Sequence, residues 1–201
     1  MKIGVPTEIK KHEYRVGLAP EFAAAYVAAG HDVYIQKGAG EGSSYSDELY
    51  TAVGCNILPT AEDIYETADM IIKVKEPLEP EYSLMREGQI FHTYFHLAAD
   101  KALTEAVLDK KIVAIAYETI CDCNGALPAL KPMSAIAGRL SVQEGVKYLE
   151  RPFGGRGVLL GGVTGVLPAN VLVLGGAGVV GRNDVARAVG LHAHVTAVDV
   201  N

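Results

Sequence analysis

A chain of 201 residues, 49% hydrophobic and 21% charged, carries enough apolar material for one large core or two small ones, which excludes a disordered polypeptide. Its formal charge of −6 and pI near 5.5, with 18 scattered Lys and Arg, argue against nucleic acid or an anionic membrane as partner. No apolar run reaches the ~18 residues that span a bilayer, and the N-terminus opens on a strand-like Met1-Lys2-Ile3-Gly4-Val5 instead of a leader, so a cytoplasmic location is expected.

In chain order, short β-rich runs alternate with stretches of helical period, the pattern of parallel strands joined by crossover helices. A strand over 2–6 precedes a helix over 20–29, which has Pro20 at its first position and stops at Gly30. There follow a strand over 32–36, helices over 47–53 and 61–66, strands over 69–74 and 89–94, a helix over 101–109 and a strand over 112–117. Asp122-Cys123-Asn124-Gly125, with Pro128 and Pro132, reads as a connection between two units. Beyond it come a helix over 133–149, a glycine-rich loop to Pro168, a strand over 171–174, a helix over 179–189 and a strand over 195–198. The expected fold class is α/β. A flavodoxin/Rossmann-like parallel-sheet unit spans 1–128, and the truncated start of a Rossmann dinucleotide-binding domain spans 129–201. Cys55, Cys121 and Cys123 are odd in number, and Cys-Asp-Cys rarely closes a disulfide, so a reduced pair and no metal are expected.

After the apolar run Val171-Leu172-Val173-Leu174, the glycines Gly176, Gly178 and Gly181 fit G-x-G-x-x-G. The first glycine would permit the tight turn, the second the approach of a pyrophosphate, and the third close packing of helix on strand. Phosphate would meet the helix N-terminus, where Val179 and Val180 present first-turn amides. Asp199 ends the next strand at about the ~20-residue spacing of a ribose 2′-hydroxyl acceptor, and its charge favours NAD over NADP.

In the first unit, three stretches mix charge, glycine and aromatic residues beyond what a core demands. They are Gly4 through Pro20, with Arg15; Lys73-Val74-Lys75-Glu76-Pro77; and Gly88 through Ala98, with His92 and His96. Each follows a strand or includes one, and open α/β sheets bind ligands at strand C-terminal ends. Together with the glycine turn, with Met133-Ser134-Ala135-Ile136-Ala137-Gly138-Arg139-Leu140-Ser141 and with Gly154 through Val163, these stretches resemble the alanine dehydrogenase family. That family also holds nucleotide-binding domain I of proton-translocating transhydrogenase.

The resemblance implies reversible NAD-linked oxidative deamination of L-alanine to pyruvate and ammonium, and a homo-oligomer, a hexamer in full-length members. It implies that Arg15 and Lys75 hold the substrate carboxylate and that His96 is the acid/base group. Met133 would line the substrate pocket, and Ser134 would contact a cofactor phosphate, although serine there is also a common helix cap. His92 is expected to be structural. Arg182 and Asn183-Asp184 depart from the small residues the family more often has after Gly181. The family's second catalytic acid lies beyond this chain. With two residues after Asp199, the sequence reads as the N-terminal portion of such an enzyme, or as a truncated, non-catalytic relative, and no turnover is expected of the isolated chain. Transhydrogenase domain I is the remaining alternative, disfavoured because it has no use for Lys75 and His96 together with Arg15.

Overall fold

Alternation of apolar strands and crossover helices favours parallel sheets, and a computed structural model describing residues 1–200 has two of them, one six-stranded and one two-stranded. The chain divides into two compact units, the first over Met1–Ile120 and the second beginning at Cys121.

In the first unit the elements are β1 (Lys2–Val5), α1 (Pro20–Ala28), β2 (Asp32–Gln36), α2 (Asp47–Ala52), β3 (Asn56–Leu58), α3 (Ala61–Thr67), β4 (Met70–Ile72), α4 (Glu79–Tyr82), β5 (Ile90–Thr93), α5 (Lys101–Lys110) and β6 (Val113–Ala116). Helix ends are marked in the sequence. Pro20 starts α1, a reciprocal capping box joins Thr60 and Asp63 at α3, and the Asp100 carboxylate caps α5 through the Leu103 amide. All six strands run parallel in the order β3-β2-β1-β4-β5-β6. Ile3, Val5, Val33 and Ile35 pack on one core with Leu18 and Tyr50, while Ile64, Tyr65, Ile71, Phe91 and Phe95 form another. The order reverses between β1 and β4, and such a switch point opens a crevice at the strands' C-terminal ends.

The second unit holds α6 (Lys131–Leu149), β7 (Asn170–Leu174), α7 (Val179–Gly190) and β8 (His194–Val198). β7 and β8 pair in parallel, with Val171 opposite Val195 and Leu174 opposite Val198, over a small core of Val142, Leu160, Ala188 and Ala193. None of the helices among the described residues is long and apolar enough to cross a membrane.

The expected elements are all present, most with ends shifted by one or two residues, and β3 and α4 are additional. The helix expected from Met133 begins at Lys131, which moves Ser134 off the cap position. Its amide bonds the Leu130 carbonyl at 2.9 Å as an ordinary helical residue.

Candidate functional site

Three loops leave the C-terminal edge of the first sheet at or next to its switch point, and each carries one of the expected substrate groups. Arg15 is on the loop after β1, Lys75 follows β4, and His96 follows β5. The first loop lies against the end of β4: a Cβ at Gly17 would come within 2.6 Å of the Ile72 carbonyl oxygen. Only glycine permits that approach.

Arg15 is half-exposed and held fork to fork by Glu13, Nε donating to Oε1 at 2.8 Å and Nη2 to Oε2 at 2.6 Å. Those bonds hold the Glu13 carboxyl below the usual carboxylate range, against an opposing desolvation effect. Lys75 is half-buried; its amide donates to Glu8 Oε1 at 3.3 Å and its carbonyl accepts from Thr93 Oγ1 at 2.8 Å. Its ammonium charge also favours ionised Glu13. His96 is exposed and adopts a left-handed backbone (φ 53°, ψ 35°), with its ring stacked on that of Tyr94 at a 17° interplanar angle. Burial raises the Tyr94 pKa, the Arg15 charge opposes the rise and the Glu118 carboxylate adds to it.

Beneath these loops, Lys73 is 1% exposed and bonded to Glu81 Oε1 at 2.8 Å, with Glu8 Oε2 at 3.4 Å. Glu81 also accepts from the Tyr65 hydroxyl and the Leu78 amide, and Glu8 Oε1 accepts from the Val74 amide at 2.6 Å. Burial pushes the Glu8 pKa up, against Lys73 and the two amides. His92 packs its ring on Tyr117 with centroids 4.1 Å apart, and its buried Nε2 has no hydrogen-bond partner. Desolvation lowers its pKa, so it is a neutral packing residue beside the site.

In the second unit the glycine turn joins β7 to α7. Positive φ falls on Gly175 (85°), so the tight turn belongs to that glycine, not to Gly176 as the motif suggested. Gly176 is required instead by β8, since a Cβ there would lie 2.8 Å from that of Ala197. Gly181 fits its expected part: a Cβ would stand 2.1 Å from the Gly175 carbonyl oxygen, inside van der Waals contact. Around Gly178 there is room, the nearest atom to a Cβ being the same oxygen at 3.6 Å. Gly178 is the N-cap of α7, so the amides of Val179, Val180 and Gly181 face outward from the first turn. Asp199, at the tip of β8, accepts from the Ala177 amide at 2.8 Å and borders a depression of about 280 Å³ with Leu174, Gly175, Val198 and Val200. Asn183 ties the helices together, donating to the Val179 carbonyl and accepting from Arg139 Nε. Met133 and Ser134 stand on the first turns of α6.

A loose open edge bearing an arginine, a lysine and a histidine can grip a carboxylate and move a proton, and a strand–glycine turn–helix with an acid on the next strand can hold a dinucleotide. Among the described residues, no group of three or more His, Cys, Asp or Glu could hold a metal ion.

Comparison with known proteins gives the family. The domain model "Alanine dehydrogenase/PNT, N-terminal domain" matches residues 4–137, and "Alanine dehydrogenase/PNT, C-terminal domain" matches 141–201. An alanine dehydrogenase of Methanococcus maripaludis is 57% identical over 201 residues, and one of Mycolicibacterium smegmatis 53%; in both cases the match covers 100% of this chain and 54% of the relative. A solved L-alanine dehydrogenase superposes with a TM-score of 0.92 at 52% identity, covering 100% of this chain and 55% of that one. A transhydrogenase from Sinorhizobium meliloti gives 0.81 at 27%, covering 100% and 57%. The chain spans about half the length of the curated relatives it matches and corresponds to their N-terminal portion.

Proposed function

Because the chain belongs to the alanine dehydrogenase/PNT family, we propose that it forms the substrate-binding part and the start of the cofactor-binding part of an NAD-dependent L-alanine dehydrogenase. Residues 1–128 are assigned to the substrate domain and 129–201 to the nucleotide domain. The observation that carries the reading is the placement of Arg15, Lys75 and His96 on three loops of one sheet edge, at or beside the switch point. The lower identity to the transhydrogenase structure favours this reading over domain I of that enzyme.

Arg15 and Lys75 hold the carboxylate of alanine or pyruvate, the guanidinium supplying directional donors and the ammonium a compact charge. His96 takes a proton from the substrate amine or carbinolamine during deamination and returns it in the reverse direction. Around the cofactor, Gly176 and Gly178, whose own amides donate to the Val198 and Gly175 carbonyls, bring the backbone close to the diphosphate, and the amides of Val179, Val180 and Gly181 receive it; Asp199 takes the ribose hydroxyls, and Ser134 a phosphate oxygen. The open space at Gly178 fits a diphosphate lying against the backbone. When bound, NAD supplies the hydride acceptor. The same reading places the protein in the cytoplasm as a homo-oligomer, without nucleic acid or membrane as partner.

The test is alanine-dependent NAD reduction by an active enzyme carrying these residues. His96→Ala is expected to lower kcat by about 100-fold or more, and Arg15→Ala to act mainly on the KM for alanine. Wild-type turnover in His96→Ala would remove the assignment.

A further inference from the structure

Left-handed backbone is unusual for a residue other than glycine and persists where its surroundings enforce it. His96 is held in it from both sides. Its carbonyl accepts from the Ala99 amide at 3.0 Å, and its own amide donates to Glu118 Oε1 at 2.7 Å. The same carboxylate takes the amide of Phe95, at 3.0 Å to Oε1 and 3.3 Å to Oε2, and the Phe95 ring is fully buried. Glu118 therefore collects two successive amides at the tip of β5 from a short 3₁₀ turn, Tyr117–Thr119, that follows β6.

That turn is itself fixed. Thr119 Oγ1 donates to the Ala116 carbonyl at 3.0 Å, and the Tyr117 ring lies 4.1 Å from His92 and 4.9 Å from Tyr94. Tyr94 is the residue on which the His96 ring stacks. A single turn thus sets both the backbone of His96 and the surface beneath its imidazole.

We infer that Glu118 is a positioning residue, whose carboxylate aims the His96 imidazole by holding the backbone of residues 95 and 96. This rests on His96 being the acid/base group of the proposed reaction. The contact is with backbone amides, so an acceptor oxygen is what matters and the charge is secondary. Gln keeps that oxygen and Ala loses it.

The experiment compares Glu118→Ala and Glu118→Gln, with His96→Ala as reference. In the 201-residue chain, NMR reads the ¹³C shifts of residue 96 for left-handed backbone and the exchange rate of its amide. Glu118→Ala should lose the left-handed signature and exchange at least about 10-fold faster, whereas Glu118→Gln should stay within about 3-fold of wild type. In an active enzyme carrying these residues, Glu118→Ala should lower kcat by about 10- to 100-fold with the pyruvate KM within about 3-fold, and Glu118→Gln should restore most of the rate. Wild-type shifts in Glu118→Ala, or equal losses in kcat for Ala and Gln, would overturn the inference. Unchanged turnover in His96→Ala would instead remove the assignment of His96, with the shifts still deciding whether Glu118 sets its backbone.

Discussion

Glu13 and Arg15 meet fork to fork two residues apart, with the Arg15 amide also donating to Glu13 Oε1 at 3.0 Å. The clamp presents the guanidinium in one orientation before any substrate arrives. It also has a pH signature. The Glu13 pKa is lowered on folding, first by its hydrogen bonds from Arg15, so the stabilisation is complete above the unfolded value and is lost as pH falls through the folded one. Urea denaturation of wild type and Glu13→Gln should therefore differ at pH 7, by less than about 1 kcal/mol because Arg15 is half-exposed. The gap should narrow below about pH 4.5. A gap that widened toward acid would contradict the clamp.

Lys73 gives the largest expected change in stability. It is 1% exposed between Glu81 and Glu8, and removing the cation leaves two carboxylates buried without it. Lys73→Met should cost about 3–5 kcal/mol. The matching change at Lys101, whose partner Glu105 is equally in solvent, should stay within about 0.5 kcal/mol. Equilibrium denaturation of the two variants makes the comparison, and similar losses would show that the buried cluster is no keystone of the loops above it.

The glycines of the turn should separate folding from binding. A methyl at Gly181 must displace the backbone of Gly175, 2.1 Å away, so Gly181→Ala should destabilise the second unit by about 1–3 kcal/mol or more. Gly178→Ala meets only one oxygen at 3.6 Å and has a negative φ of −69°. Its stability should remain within about 1 kcal/mol of wild type, while its methyl enters the space assigned to the diphosphate. Calorimetric titration with NAD alongside thermal unfolding should show affinity lost without stability in Gly178→Ala. Loss of both together would make Gly178 a folding residue.

What the sequence revealed and what it concealed follow from the range of the interactions. Strand β2 and helix α1 were readable from their own residues, because Val33 and Ile35 alternate with partly exposed neighbours and Pro20 and Gly30 bracket the helix. β3 is three residues with Asn56 at its head, and it forms because β2 offers an edge. α4 is a single turn containing Pro80, organised by Glu81 reaching back to the Leu78 amide and down to Lys73. Arg15, Lys75 and His96 could be named from their motifs, but the glutamates that hold their amides could not. Glu8 acts across 67 positions and Glu118 across 22, and nothing local distinguishes either from a solvated acid. Only Glu13, two residues from Arg15, had a local signal. The tight turn was placed on Gly176 because a spacing pattern carries no φ, and Gly175 was the neighbour that needed one.

Asp199 links the last strand to the turn it would share with a nucleotide. Its Oδ2 holds the Ala177 amide at 2.8 Å and its Oδ1 holds that of Val200, so the carboxylate stands beside the glycine turn. A carboxylate there can accept both ribose hydroxyls and repels a 2′-phosphate. Loss of charge-assisted bonds of about 1.5–3 kcal/mol should weaken NAD binding by roughly 10- to 100-fold in Asp199→Ala. Binding of NADP should change less, because the same substitution also removes the repulsion. The ratio of the two dissociation constants, measured by titration of wild type and variant, is the quantity to follow: it should fall toward unity. A ratio unmoved by the substitution would mean that Asp199 braces the turn and takes no part in choosing the cofactor.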